Sequence, residues 1–158
     1  MNAPSKTFLI TGGAGFIGSA LVAEAVRRGY HAVVLDKLTY AGHRMNLEWI
    51  EGDHTLVIGD IADATCVGGL FKKYDFVGVI HAAAESHVDN SIHGPRPFVD
   101  TNIAGTFELL ECCRAYWQAL PAAEKSAFRF LQISTDEVYG SLGATGKFDE
   151  SSDRKSVV

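Results

Sequence analysis

Gly12-Gly13-Ala14-Gly15-Phe16-Ile17-Gly18 lies between an apolar run, Thr7 to Thr11, and a segment of helical period, Phe16 to Arg28. The run reads as a first strand and the segment as a first helix, stopped by Gly29. Ile17, Leu21, Val22 and Ala25 are expected on the buried face of that helix. Glycines at 12, 15 and 18 give a G-x-x-G-x-x-G spacing. Glycine is needed where the backbone turns through positive φ and where an anion must approach the main chain closely. The helix start then offers unpaired N–H groups and a partial positive charge. Strand, glycine turn and helix in that order read as a pyrophosphate cradle. A glycine-rich turn with no ligand is the bland alternative.

Working outward, short apolar runs alternate with helical segments, the signature of βαβ units. Strands are expected at Ala32 to Asp36, Thr55 to Ile58, Val77 to His81 and Arg129 to Ser134. Helices are expected at Leu47 to Glu51, at Ala64 to Tyr74 with Gly68 and Gly69 as interruptions, and at Pro97 to Trp117. The last carries a stripe of Phe98, Thr101, Gly105, Leu109 and Cys112. The class is therefore α/β, a doubly wound parallel sheet of Rossmann-like type, incomplete at its C-terminal end. Right-handed crossovers put the first strand in the centre with the fourth beside it. Ligands in such sheets bind at the carboxyl ends of the strands.

Asp36 ends the second strand, where a carboxylate can accept bonds from both ribose hydroxyls of an adenosine. Its charge would repel a 2′-phosphate, which favours NAD over NADP. Lys37 pulls the other way, since a nearby cation could tolerate that phosphate. Asp60-Ile61 follows the third strand and can flank the adenine; a helix N-cap is an equal reading of Asp60.

The 158 residues carry 14 basic and 19 acidic side chains, a formal charge of −5 without the basic face of a nucleic-acid binder. No stretch approaches the roughly 20 apolar residues of a membrane span. Cys66, Cys112 and Cys113 suggest neither a disulfide framework nor a zinc site, so a cytoplasmic setting is expected. His81, His87 and His93 recur at a six-residue interval that puts no two on one helix turn, and no metal is expected. Tyr116 and Trp117 read as packing residues.

Four more segments point to a family. They are Leu38-Thr39-Tyr40-Ala41-Gly42, Gly59-Asp60-Ile61, His81-Ala82-Ala83-Ala84-Glu85-Ser86-His87-Val88-Asp89-Asn90-Ser91-Ile92, and Ser134-Thr135-Asp136-Glu137-Val138-Tyr139-Gly140. With the glycine spacing they resemble the dTDP-glucose 4,6-dehydratases, lyases of nucleotide-sugar metabolism in the extended short-chain dehydrogenase/reductase superfamily. The resemblance runs from about Lys6 to Glu150. It implies NAD as cofactor and dTDP-glucose as substrate, converted to the 4-keto-6-deoxy sugar with loss of water. By the same resemblance Gly12, Gly15, Phe16, Ile17 and Gly18 hold the pyrophosphate. Asp36, Lys37, Leu38, Thr39, Asp60 and Ile61 surround the adenosine. Ala82, Ala83, Ala84, Glu85, Ser86 and Thr101 line the nicotinamide end, and Ser86 also faces the sugar nucleotide. Asp136 is implied as the acid, Glu137 as the base, and Thr135 as the holder of the C4 hydroxyl. Taken without the family, Asp136-Glu137 reads as a solvated acid pair at a strand end. Ala82 departs mildly from the pattern, which often has leucine.

The superfamily's Tyr-x-x-x-Lys pair is not found: none of Tyr30, Tyr40, Tyr74, Tyr116 and Tyr139 has lysine four residues on. Residues 1–150 are expected to form a partial NAD-binding domain with no substrate domain, inactive as this fragment. Residues 151–158 are expected to be a non-family, artefactual tail. A homodimer is implied for the full-length protein. The competing readings are a non-catalytic NAD-binding module and a nucleotide-sugar epimerase or decarboxylase of similar fold.

Overall fold

A computed structural model describes residues 6–142 and 145–152, with the backbone alone at residue 88. Of the expected tail, residues 151–158, the part from Asp153 onward lies outside the described residues. Five strands form one sheet: β1 (Thr7–Thr11), β2 (His31–Asp36), β3 (His54–Ile58), β4 (Phe76–His81) and β5 (Arg129–Gln132). Their order is β3-β2-β1-β4-β5 and every pairing is parallel. The expected central place of β1, with β4 beside it, is what the structure shows.

The α-helices are α1 (Phe16–Arg27), α2 (Met45–Glu48), α3 (Ala64–Lys73), α4 (Val88–His93), α5 (Arg96–Phe98), α6 (Thr106–Ala119) and α7 (Ala122–Ala127). Successive strand residues point to opposite faces, so a sheet covered on both sides needs apolar residues in unbroken runs. Leu9, Val33, Leu35 and Val79 pack on one face with Val67, Leu70 and Phe71 of α3 and Leu109 and Cys113 of α6. Their neighbours Ile10, Val34 and Ala32 pack on the other face with Val22 and Ala25 of α1 and Leu47 of α2. Leu9 and Ile10 are fully buried, each worth about 1.5–3 kcal/mol.

Three expectations are corrected. Gly68 and Gly69 do not interrupt α3, because Val67, Leu70 and Phe71 anchor it to the core on either side of them. The helix expected as one α-helix from Pro97 to Trp117 contains a π-helical stretch, Val99–Gly105, between α5 and α6. That widened turn puts Thr101, Gly105, Leu109 and Cys113 in the buried row, four residues apart each time, leaving Cys112 half-buried beside it. Ile17 faces outward and is 57% exposed, while Gly18 and Ser19 take the inner positions of α1. Among the described residues no helix is long and apolar enough to cross a membrane.

Candidate functional site

The carboxyl ends of β1, β2, β3 and β4 open into one cleft of about 340 Å³. It lies where the connections leaving β1 and β4 part, toward β2 on one side and β5 on the other, the switch point of a doubly wound sheet. All of the expected cofactor positions line it except Leu38. Leu35, Ala41, Gly42 and Gly59 also line it, and the sequence reading did not single them out as site residues.

Two of the three motif glycines are demanded by the fold. Gly12 has φ +69°, and a Cβ on it would lie 2.6 Å from the Ala83 nitrogen. A Cβ on Gly18 would overlap the Gly12 carbonyl, so this glycine lets α1 pack onto the turn. Gly15 differs. Its φ of −79° suits any residue. A Cβ there would meet Gly12 O at 3.3 Å and Ala41 O at 4.0 Å, both on the cleft wall. The missing side chain at Gly15 therefore opens the cleft more than it serves the fold. The first turn-closing bond of α1 is Ser19 N to Gly15 O at 2.9 Å, and no side chain caps this helix start. The N–H groups of Phe16, Ile17 and Gly18 precede that bond on the cleft wall, as an anion cradle requires.

Asp36 is almost fully buried. Its Oδ2 accepts from Ala14 N at 2.9 Å and its Oδ1 from Leu38 N at 2.8 Å. These bonds tie the glycine turn to the loop after β2. A carboxylate has about four lone-pair sites, so Asp36 keeps acceptor capacity for donors in the cleft. A Cβ on Gly42 would lie 2.6 Å from Asp36 Oδ1, which explains the small residue there. Leu38 takes φ +55°, rare for a branched side chain, and packs against the core face of α1 and α2. That turn sends the Leu38 side chain away from the cleft, so only its N–H serves the site, through Asp36.

Asp60 is not the helix N-cap. Asp63 caps α3, accepting from Thr65 N at 2.9 Å and Cys66 N at 3.0 Å. Asp60 instead accepts from Ala62 N at 3.0 Å and pairs with Lys37 Nζ at 3.0 Å. Partial burial opposes ionisation of Asp60, but the Ala62 amide and the Lys37 ammonium outweigh it and hold the carboxyl below its ordinary value. Lys37 Nζ also donates to Thr101 Oγ1 at 3.5 Å, drawing Thr101 to the Lys37–Asp60 wall. Gly105 lets the π-helical stretch close on Ile61: a Cβ there would lie 2.8 Å from Ile61 Cγ1.

The wall from Ala82 to Ser86 is held from below and from behind. Asn102 Oδ1 accepts from Glu85 N at 2.8 Å and Asn102 Nδ2 donates to Glu85 O at 2.9 Å, imitating a strand pair. His81 is fully buried, with Nδ1 at 2.6 Å from Thr11 Oγ1 and Nε2 at 3.1 Å from Thr106 Oγ1. Ala83 N donates to the same Thr11 oxygen at 3.4 Å. Burial pushes His81 down to about 4, so the ring is neutral at pH 7. Neither Asn102 nor this brace was marked from the sequence. Asn102 sits beside Thr101 in the expected helix, which was the available clue.

Thr135, Asp136 and Glu137 do not line the cleft. The chain leaves β5 at Gln132, pairs once more through Ile133 N to His81 O at 2.9 Å, and enters a 3₁₀ turn, Asp136–Tyr139. Thr135 Oγ1 accepts from Glu137 N at 3.3 Å, and all three side chains are exposed. Strand geometry, which would part the two carboxylates, is therefore gone where they stand. Among the described residues no group of three His, Cys, Asp or Glu could hold a metal ion. The three cysteines are free, and burial pushes the Cys113 thiol up to about 11. Tyr116 is a packing residue, its hydroxyl donating to Phe76 O at 3.1 Å.

The family model described as GDP-mannose 4,6 dehydratase matches residues 9–155. A dTDP-glucose 4,6-dehydratase of Xanthomonas campestris pv. campestris (strain B100) is 56% identical over 146 residues, 91% of this chain and 42% of that protein. A dTDP-glucose 4,6-dehydratase from Streptomyces venezuelae, crystallised with NAD, superposes with a TM-score of 0.73 at 41% identity over 94% of this chain and 45% of that one. The UDP-glucose 4-epimerase of Thermus thermophilus in complex with NAD gives 0.78 at 30% identity, covering 94% and 44%. The chain thus spans less than half the length of these relatives.

Proposed function

This chain belongs to the GDP-mannose 4,6 dehydratase family, and from that premise we propose that it is the NAD-binding part of a dTDP-glucose 4,6-dehydratase. The observation that carries the reading is the cleft at the strand ends. It gathers the uncapped start of α1, the half-satisfied Asp36 carboxylate and the Ala82–Ser86 wall, and Gly15 leaves room there for a pyrophosphate. The N–H groups of Phe16, Ile17 and Gly18 would hold that pyrophosphate, and Asp36 the adenosine ribose. NAD, when bound, would take the hydride from C4 of the sugar and give it back at C6 once water has left, so the cofactor is unchanged overall.

The chain's own part is placement and proton transfer. A ketone at C4 acidifies the C5 proton, so a base can remove it while an acid protonates the departing C6 hydroxyl. Glu137 is assigned as that base and Asp136 as the acid, with Thr135 holding the C4 hydroxyl and Ser86 facing the nucleotide sugar. Support comes from the 3₁₀ turn, which frees the two carboxylates from opposite strand faces. Homodimerisation of the longer protein would use the outer face of the helix from Val99 onward. Val99, Ile103, Phe107, Leu110 and Trp117 stand there at helical spacing, each more than 40% exposed. Three cysteines without a disulfide suit a reducing cytoplasm.

The test is to extend the chain to the length of its relatives and incubate it with dTDP-glucose. Mass spectrometry should show loss of one water and a 4-keto-6-deoxy product. Asp136→Asn and Glu137→Gln should each slow turnover by about 10²–10⁴-fold. Absence of the dehydrated product would end the dehydratase reading, and epimerised UDP-glucose would favour the epimerase relatives.

A further inference from the structure

Asp36 and Lys37 are consecutive, yet they turn to opposite sides of the β2 carboxyl end. Asp36 is locked toward the glycine turn by Ala14 N and Leu38 N. Lys37 is drawn along the cleft wall to Asp60 Oδ2 at 3.0 Å and Thr101 Oγ1 at 3.5 Å. Asp60 is itself fixed through its other oxygen by Ala62 N at 3.0 Å. The pair is only partly exposed, at 37% for Lys37 and 38% for Asp60. A lysine beside the ribose-binding carboxylate would welcome a 2′-phosphate, since an ammonium on a flexible stem can follow a phosphate within its reach.

We infer that Asp60 is a specificity-determining residue, which holds the Lys37 ammonium on the Asp60–Thr101 wall of the cleft and so keeps it from pairing with a 2′-phosphate. The inference rests on the dinucleotide reading of the cleft. Discrimination then has two parts. Asp36 repels the phosphate, and Asp60 removes the cation that would compensate. Thr101 completes the restraint as the second acceptor of Lys37.

The experiment is calorimetric titration of the 158-residue chain with NAD⁺ and, separately, with NADP⁺. Asp60→Asn keeps an oxygen for Ala62 N but removes the charge that retains Lys37. It should raise the NADP⁺-to-NAD⁺ affinity ratio by about tenfold, the scale of one charge-assisted hydrogen bond. In Asp60→Asn/Lys37→Ala that gain should vanish, whereas simple relief of repulsion from Asp60 would persist without the lysine. A ratio that moves less than threefold in Asp60→Asn, or a gain that survives in the double variant, overturns the inference while NAD⁺ binding stands. Failure of the unmodified chain to bind either nucleotide overturns the dinucleotide reading and this inference with it.

Discussion

Replacing Gly15 by alanine should separate binding from folding. The added Cβ would sit 3.3 Å from Gly12 O and 4.0 Å from Ala41 O, a contact that a shift of a few tenths of an ångström relieves. The backbone there is already extended, with φ −79° and ψ 177°, so no strain is added. Alanine is a poorer N-cap than glycine but costs the unfolded chain some freedom, so the net loss is about 1 kcal/mol or less. For a chain of this size that lowers Tm by about 2–4 °C. The effect on a dinucleotide is larger, because the methyl group would stand between the anion and the first amides of α1. Losing two charge-assisted bonds of about 1.5–3 kcal/mol each weakens binding by roughly 10²–10⁴-fold. Gly18→Ala supplies the contrast. Its Cβ would overlap the Gly12 carbonyl and crowd Gly13 Cα at 2.7 Å, all immobile backbone. Overpacking of that kind costs about 1–3 kcal/mol, so its main effect should be a lower Tm. Thermal denaturation and NAD⁺ titration on both variants make the comparison. NAD⁺ affinity within threefold of the parent in Gly15→Ala would refute the reasoning.

Three other outcomes follow from the same structure. His81 is neutral when folded and protonates near pH 4, whereas an unfolded histidine titrates near pH 6.5. Its neutral burial therefore contributes stability that is complete above pH 6.5 and fades as pH falls toward 4, by up to about 1.4 kcal/mol per pH unit. NMR titration of the His81 ring should find a midpoint near 4, and a midpoint near 6.5 would contradict the brace to Thr11 and Thr106. Asn102→Ala removes both bonds to the Glu85 backbone and should cost about 1–2 kcal/mol in urea denaturation, with faster amide exchange confined to residues 82–86; unchanged exchange there would count against the strand-like pairing. Gly69→Ala should raise Tm by about 2–4 °C, since a Cβ there meets nothing within 4 Å and alanine suits the helix better.

What could be read from the sequence was local or topological. The glycine turn and Asp36 are written in single residues at fixed places, and parallel strand order follows from the handedness of crossovers. The features that escaped depend on contacts across the fold. The π-helical stretch has no propensity signature, and it arises where Thr101, Gly105 and Leu109 must all face Ile61 and the core. The positive φ of Leu38 is unfavourable for leucine by itself and is held by the bond from its N–H to Asp36 and by apolar packing. The polar helix α4, from Val88 to His93, carries no apolar period to announce it. The Lys37–Asp60 pair joins residues 23 positions apart, which turned an ambiguous neighbour of Asp36 into a restrained one. Thr135 to Glu137 were visible as a motif, while their exposed placement outside the cleft lining depends on where β5 ends.

Crystals of the chain grown with NAD⁺ give the most direct test. Pyrophosphate oxygens should lie about 3 Å from the N–H groups of Phe16 and Ile17, with ribose hydroxyls on the free lone pairs of Asp36. A nucleotide bound elsewhere, or one whose phosphates avoid the start of α1, would contradict this placement.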